Sequence, residues 1–110
     1  QKGCTEPYHA RHLFVVQLPL ERLSGSRNDV VLALRARNIG AAIHYAPLHR
    51  MPLYCGQNRP QALPSTDTVA DSSLTLPISA KMTLKDAAYV ADQFMSILEG
   101  YRKTDSEIQD

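Results

Sequence analysis

The chain has 110 residues, of which 44% are hydrophobic and 21% charged, and its formal net charge is +1. That length suits one compact domain whose core needs no metal or disulfide staple. The basic residues are scattered, which excludes a striped nucleic-acid or anionic-membrane surface, and no apolar run is long enough to span a bilayer.

Gln1, not Met, opens the chain, so the expectation is a processed or excised piece of something longer. Residues 1–12 are polar, contain Pro7 and show no sustained period, and they read as a linker, with His9, Arg11 and His12 on its solvent side. Leu13-Phe14-Val15-Val16-Gln17-Leu18 is a short β-branched and aromatic run stopped by Pro19, which predicts a strand buried on both faces. Ser26-Arg27-Asn28-Asp29 has the spacing of a capping box and predicts a helix. Val30, Ala33 and Leu34 fall on one face of it, Arg27, Arg35 and Arg37 reach water, and Gly40 is the expected left-handed stop.

Ala41 to Ala46 reads as a second strand, ended by Pro47. Alternation sets Ile43 and Tyr45 on one face, and Ala42, His44 and Ala46 on the other. From Pro47 to Pro64 the connection is irregular and carries four prolines, and connections of such length in small domains are often functional. A short helix is expected over Thr66 to Ser73, with Ser65 near its start. Leu74-Thr75-Leu76-Pro77-Ile78 predicts a third strand, at a sheet edge or ending at the proline that cannot donate to a ladder. Thr83-Leu84-Lys85-Asp86 repeats the capping pattern. Ala87, Val90, Ala91, Phe94, Met95 and Leu98 then recur at helical spacing before Gly100. The charged stretch 101–110 is expected to be a flexible tail.

The order β-α-β-loop-(α)-β-α predicts an α/β chain of the α+β two-layer sandwich kind, a small three-stranded sheet with helices packed on one face, over residues 13–100. So few strands leave a sheet face that is expected to need a partner.

The densest polar stretch runs from His44 to Cys55, at a strand exit, where a rigid sheet holds side chains that a loop can turn toward a ligand. Set against that, His44 could be a satisfied semi-buried ring, and Tyr45 and Tyr54 packing aromatics. A zinc set of His44, His49 and Cys55 lacks the closely paired ligands such sites use. A Cys55 nucleophile with His49 or His44 lacks an orienting group. Cys4 and Cys55 are far apart and are expected to be reduced, which makes the cytoplasm the expected compartment. No Gly-rich phosphate cradle is present. Of the lysines, Lys2 and Lys103 sit in tails, Lys85 begins a helix and Lys81 lies in a loop, so none reads as a Schiff-base amine.

The string His44-Tyr45-Ala46-Pro47-Leu48-His49, preceded by Ile39-Gly40 and followed by Pro52 and Tyr54, resembles the "GI…HYxPLH" and "P-x-Y" signature of the DegT/DnrJ/EryC1/StrS aminotransferases. Ala70-Asp71-Ser72-Ser73-Leu74-Thr75-Leu76-Pro77-Ile78 with Met82-Thr83 resembles that family's "LsLPl…mt" block, and the likeness covers about residues 9 to 98. The resemblance implies the small C-terminal domain of a fold-type I enzyme dependent on pyridoxal phosphate. A separate large domain would hold the Schiff-base lysine and the cofactor, and this chain by itself would hold none. It implies amino-group transfer, from glutamate, to a nucleotide-linked keto-sugar in a homodimeric parent, with the chain closing one side of the cleft. His44, Tyr45 and His49 would then shape the substrate side of the cleft, with Tyr54 behind them. Two rival readings are a stand-alone binding module for a small molecule or protein, and a remnant with a structural or oligomerisation role.

Overall fold

In a computed structural model, residues 7–55, 62–104 and 106 are described, with Cys55 described for its backbone alone. The first helix, α1 (Arg27–Ala36), begins as its sequence dictates. The Asp29 carboxylate accepts from the Ser26 N–H at 2.8 Å, and the Ser26 hydroxyl oxygen accepts from the Asp29 N–H at 3.3 Å. Val30 and Leu34 are fully buried and Val31 nearly so, which puts this helix at the centre of the core.

Its end differs from expectation. The left-handed residue is Asn38, with φ 59°, and not Gly40. The Ile39 N–H bonds back to the Leu34 carbonyl and the Asn38 N–H to that of Arg35, each at 3.0 Å, the double bond of a Schellman turn. Burial of Ile39 against Leu34 completes the turn with the apolar contact that usually accompanies it. The three arginines expected to reach water do so, Arg35 as an exposed residue and Arg27 and Arg37 in part, and they also serve as ties. Arg27 donates to the carbonyls of Ala70 and Ser73, Arg35 to that of Ala41, and Arg37 to Gln93.

Strands β1 (Phe14–Gln17) and β2 (Ser73–Leu76) pair antiparallel, Phe14 opposite Leu76 and Gln17 opposite Ser73. The expected second strand is reduced to one bridge, where Ala42 and Thr75 exchange both backbone bonds at 3.1 and 2.8 Å. The three-stranded sheet is therefore corrected to a two-stranded ribbon with a single added bridge. Beyond Ala42 a side chain replaces the ladder, His44 Nδ1 meeting the Thr75 hydroxyl at 2.9 Å.

That arrangement decides which strand is buried. With neighbours on both sides, β2 buries Leu74, Thr75 and Leu76, and it stops before Pro77. The outer strand, β1, was expected to be buried on both faces, yet Phe14 is 52% exposed and Gln17 faces out.

A four-residue helix, α2 (Pro52–Cys55), follows a 3₁₀ turn at Leu48–Arg50. Helix α3 (Pro64–Ser72) starts on Pro64, whose missing N–H costs nothing in the first turn. The last helix, α4 (Leu84–Gly100), has a second complete capping box, Thr83 with Asp86. It packs on α1 through Ile97, which is buried, with Val90, Phe94 and Leu98 beside it. Of the apolar stripe expected from the sequence, Ala87, Ala91 and Met95 stay exposed.

Residues 101–103, expected at the start of a tail, are bonded to the turn before α1. The Tyr101 carbonyl accepts from the Ser24 N–H at 2.8 Å, the Lys103 N–H bonds to the Arg22 carbonyl at 2.9 Å, and Arg102 bridges Leu23. The Tyr101 ring lies over Gly25, where a Cβ would sit 2.7 Å from a ring carbon, so a side chain there would displace it. Among the described residues no helix is long and apolar enough to cross a membrane.

Candidate functional site

Two segments make the walls of a cleft of about 440 Å³. One is the chain from Ile43 to Pro47, and the other is α3 with the residue after it, presenting Ser65, Thr66, Val69, Ala70 and Ser73. Both walls are anchored in β2. The first leaves the sheet at the Ala42–Thr75 bridge, and α3 runs directly into Ser73, where Arg27 ties its last turn to α1.

His44 is half-buried, its Nδ1 on the Thr75 hydroxyl and its ring edge-on to Tyr45 with centroids 4.8 Å apart. Tyr45 is 72% exposed and also lines the cleft. A large aromatic held against a fixed imidazole yet open to water suits contact with a ligand that has an apolar or planar face.

Directly after the first wall, the 3₁₀ turn delivers His49 and Arg50 to α3. His49 Nε2 donates to Asp67 Oδ1 at 2.8 Å, and Arg50 Nη2 reaches the same oxygen. Arg50 also binds Asp71 with both nitrogens, Nη1 to Oδ1 at 2.5 Å and Nη2 to Oδ2 at 3.0 Å, the planar fork geometry that arginine supplies. Each carboxylate is stabilised in its charged form. The His49 hydrogen bond first, then Arg50, holds Asp67 below the ordinary carboxylate range, and the Arg50 hydrogen bond does the same for Asp71. The Arg50 guanidinium, between two carboxylates, is pushed further up, Asp71 being the larger cause.

The residues singled out from the sequence thus divide. His44 and Tyr45 meet in the cleft wall, and His49 is not part of its lining but is held against α3 through Asp67. Tyr54 lies apart on α2, half exposed, with its N–H on the Met51 carbonyl. Cys55 closes α2, and its side chain, like Cys4 and Lys2, lies outside the described residues. Asp67, Asp71 and Thr75 were not singled out. The two aspartates had one local signal, their spacing of four on the expected short helix, which is that of one helical face, and Thr75 appeared only as a residue of the expected third strand and of the stretch that resembles the family.

Among the described residues, no three His, Cys, Asp or Glu side chains come together as metal ligands. The described lysines do not fit an anchor for pyridoxal phosphate, which needs a desolvated or activated amine. Lys81 and Lys85 are exposed, and Lys103 donates to the Glu21 carbonyl at 3.2 Å.

Comparison with known proteins agrees with this architecture. The sequence profile of the DegT/DnrJ/EryC1/StrS aminotransferase family matches residues 2–95. The uncharacterized protein MJ1066 of Methanocaldococcus jannaschii is 31% identical over 97 residues, which cover 86% of this chain and 25% of that protein. Two solved structures share the fold. Helicobacter pylori PseC, an aminotransferase involved in the biosynthesis of pseudoaminic acid, superposes with a TM-score of 0.74 at 21% identity, over 82% of this chain and 24% of its own. Spr1654 of Streptococcus pneumoniae, assigned as a sugar aminotransferase and solved in the PMP form, gives 0.73 at 23% identity, over 82% and 23%. The chain spans about a quarter of the length of these proteins.

Proposed function

The chain belongs to the DegT/DnrJ/EryC1/StrS aminotransferase family, and on that premise we propose that it is the small C-terminal domain of an enzyme that transfers an amino group to a nucleotide-linked keto-sugar. Pyridoxal phosphate, held on a lysine of a separate large domain, supplies the electron sink for the transfer. The parent is a cytoplasmic homodimer, glutamate is the amino donor, and this chain closes one side of the cleft.

The observation that carries this reading is the location of His44 and Tyr45. The stretch whose sequence most resembles the family lies on the wall of a cleft whose other wall is α3. In this role Tyr45 meets the substrate, His44 backs it from β2 through Thr75, and His49 holds the turn after that wall against Asp67. Tyr54, which lies apart on α2, is given no direct contact with the substrate.

The test is to express the reading frame that contains this chain together with its large domain. The expected result is a borohydride-trappable cofactor adduct on one lysine outside residues 1–110, with glutamate-dependent amination of a keto-sugar nucleotide. An adduct on Lys81, Lys85 or Lys103, with amination by the 110-residue chain alone, would overturn the assignment.

A further inference from the structure

His49 and Arg50 are consecutive residues directly after one cleft wall, and both reach across to the other. Asp67 and Asp71 are one helical turn apart on α3, so their carboxylates project from the same face at the spacing of two adjacent basic side chains. The contact is reciprocal. Asp67 Oδ1 is shared by His49 and Arg50, and Arg50 is shared by Asp67 and Asp71, so no member can move without disturbing the next. On the far side α3 is already fixed, because Arg27 holds the carbonyls of Ala70 and Ser73 at 2.9 Å each. The turn at Leu48–Arg50 is therefore the part that the carboxylates locate.

We propose that Asp67 and Asp71 are positioning residues, a clasp that grips His49 and Arg50 and so sets the separation of the cleft walls carrying Tyr45 and Val69. The inference rests on the cleft being the substrate side of an aminotransferase, but the clasp can be judged without activity. A bidentate arginine has a defined orientation, whereas a single ion pair between mobile chains does not. An exposed ion pair adds little to global stability, so its use here is geometric, and its loss is felt in the cleft before the fold.

The experiment compares the wild type with Asp67→Asn, Asp71→Asn and the double variant, and with Asp71→Glu as the conservative rescue. On the 110-residue chain, backbone ¹⁵N relaxation reads the order of residues 45–50, and side-chain ¹⁵N spectra read the Arg50 Nη groups. The expected result is a fall in order parameter from about 0.85 toward 0.6 for residues 45–50 in the double variant, with β2 and α1 unchanged. The resolved Arg50 Nη signals should collapse in the same variant. In the parent enzyme the double variant should raise the KM for the keto-sugar nucleotide about tenfold with kcat within about twofold, and Asp71→Glu should recover most of that loss. Unchanged order in residues 45–50 overturns the clasp, as do lost Arg50 signals with unaltered KM. If the wild-type parent aminates no sugar, the functional reading fails instead, and the relaxation data on the chain alone then decide the clasp.

Discussion

Replacing Thr75 with valine would remove one oxygen at the junction of sheet and site. Thr75 is 5% exposed, its backbone closes the bridge to Ala42, and its hydroxyl bonds His44 Nδ1 at 2.9 Å. Valine keeps the β-branched shape and the strand preference, and the backbone bonds are untouched, so the change isolates the hydroxyl. A neutral hydrogen bond contributes about 0.5–1.5 kcal/mol net, and half-buried His44 can recover part of its loss from water. The expected destabilisation is therefore about 1 kcal/mol, a fall in Tm of roughly 4–8 °C for a domain of this size. Thermal melts followed by circular dichroism on Thr75→Val, His44→Ala and the double variant give the coupling directly. If the pair acts as one unit, the double variant costs about 1 kcal/mol less than the sum of the singles. Additive losses, or a Thr75→Val melt identical to wild type, would refute the claim that the sheet holds His44 through this hydroxyl.

Leu34→Ala, at a fully buried position in the last turn of α1, should cost about 2–5 kcal/mol in urea unfolding, and a loss under about 1 kcal/mol would show that α1 does not centre the core. The clasp itself is acid-sensitive, although as an exposed ion-pair set it adds little to global stability. The folded pKa values of its carboxylates lie below the unfolded value near 3.9, so their contribution is complete above that range and disappears as the pH falls through the lower folded values. The resolved Arg50 Nη signals of the wild type should therefore persist from pH 6 to below the ordinary carboxylate range and collapse only as the pH falls toward 2. Collapse already at or above the ordinary carboxylate range would contradict the depressed pKa values. In the parent enzyme His49→Ala should lower kcat/KM for the keto-sugar nucleotide roughly tenfold or more while Tm moves by only a few degrees. Proportionate loss of both would make His49 a packing residue.

What the sequence alone determined was local. The two capping boxes were legible because a hydroxyl and a carboxylate three residues apart must meet once a helix starts, whatever surrounds it. The end of β2 before Pro77 was legible because proline has no N–H to give. The polar stretch from His44 onward stood out by composition, and His44, Tyr45 and Pro47 do lie in one cleft wall.

The rest depended on partners distant in the chain. Asn38 rather than Gly40 closes α1 because the Schellman bonds and the burial of Ile39 fix the reversal two residues earlier than glycine's freedom suggested. The stretch after Ala41 alternates like a strand, yet it makes one bridge, because pairing belongs to two segments and one period cannot supply the second. Helical spacing put Arg27, Arg35 and Arg37 on the solvent side, where they do keep access to water, but it could not show that carbonyls from elsewhere in the chain come within reach of their guanidinium groups. His49 and Asp67 stand 18 residues apart, and no local rule links them. Their contact exists because β2 anchors both cleft walls, and tertiary structure alone brings a turn and a helix face to within a hydrogen bond.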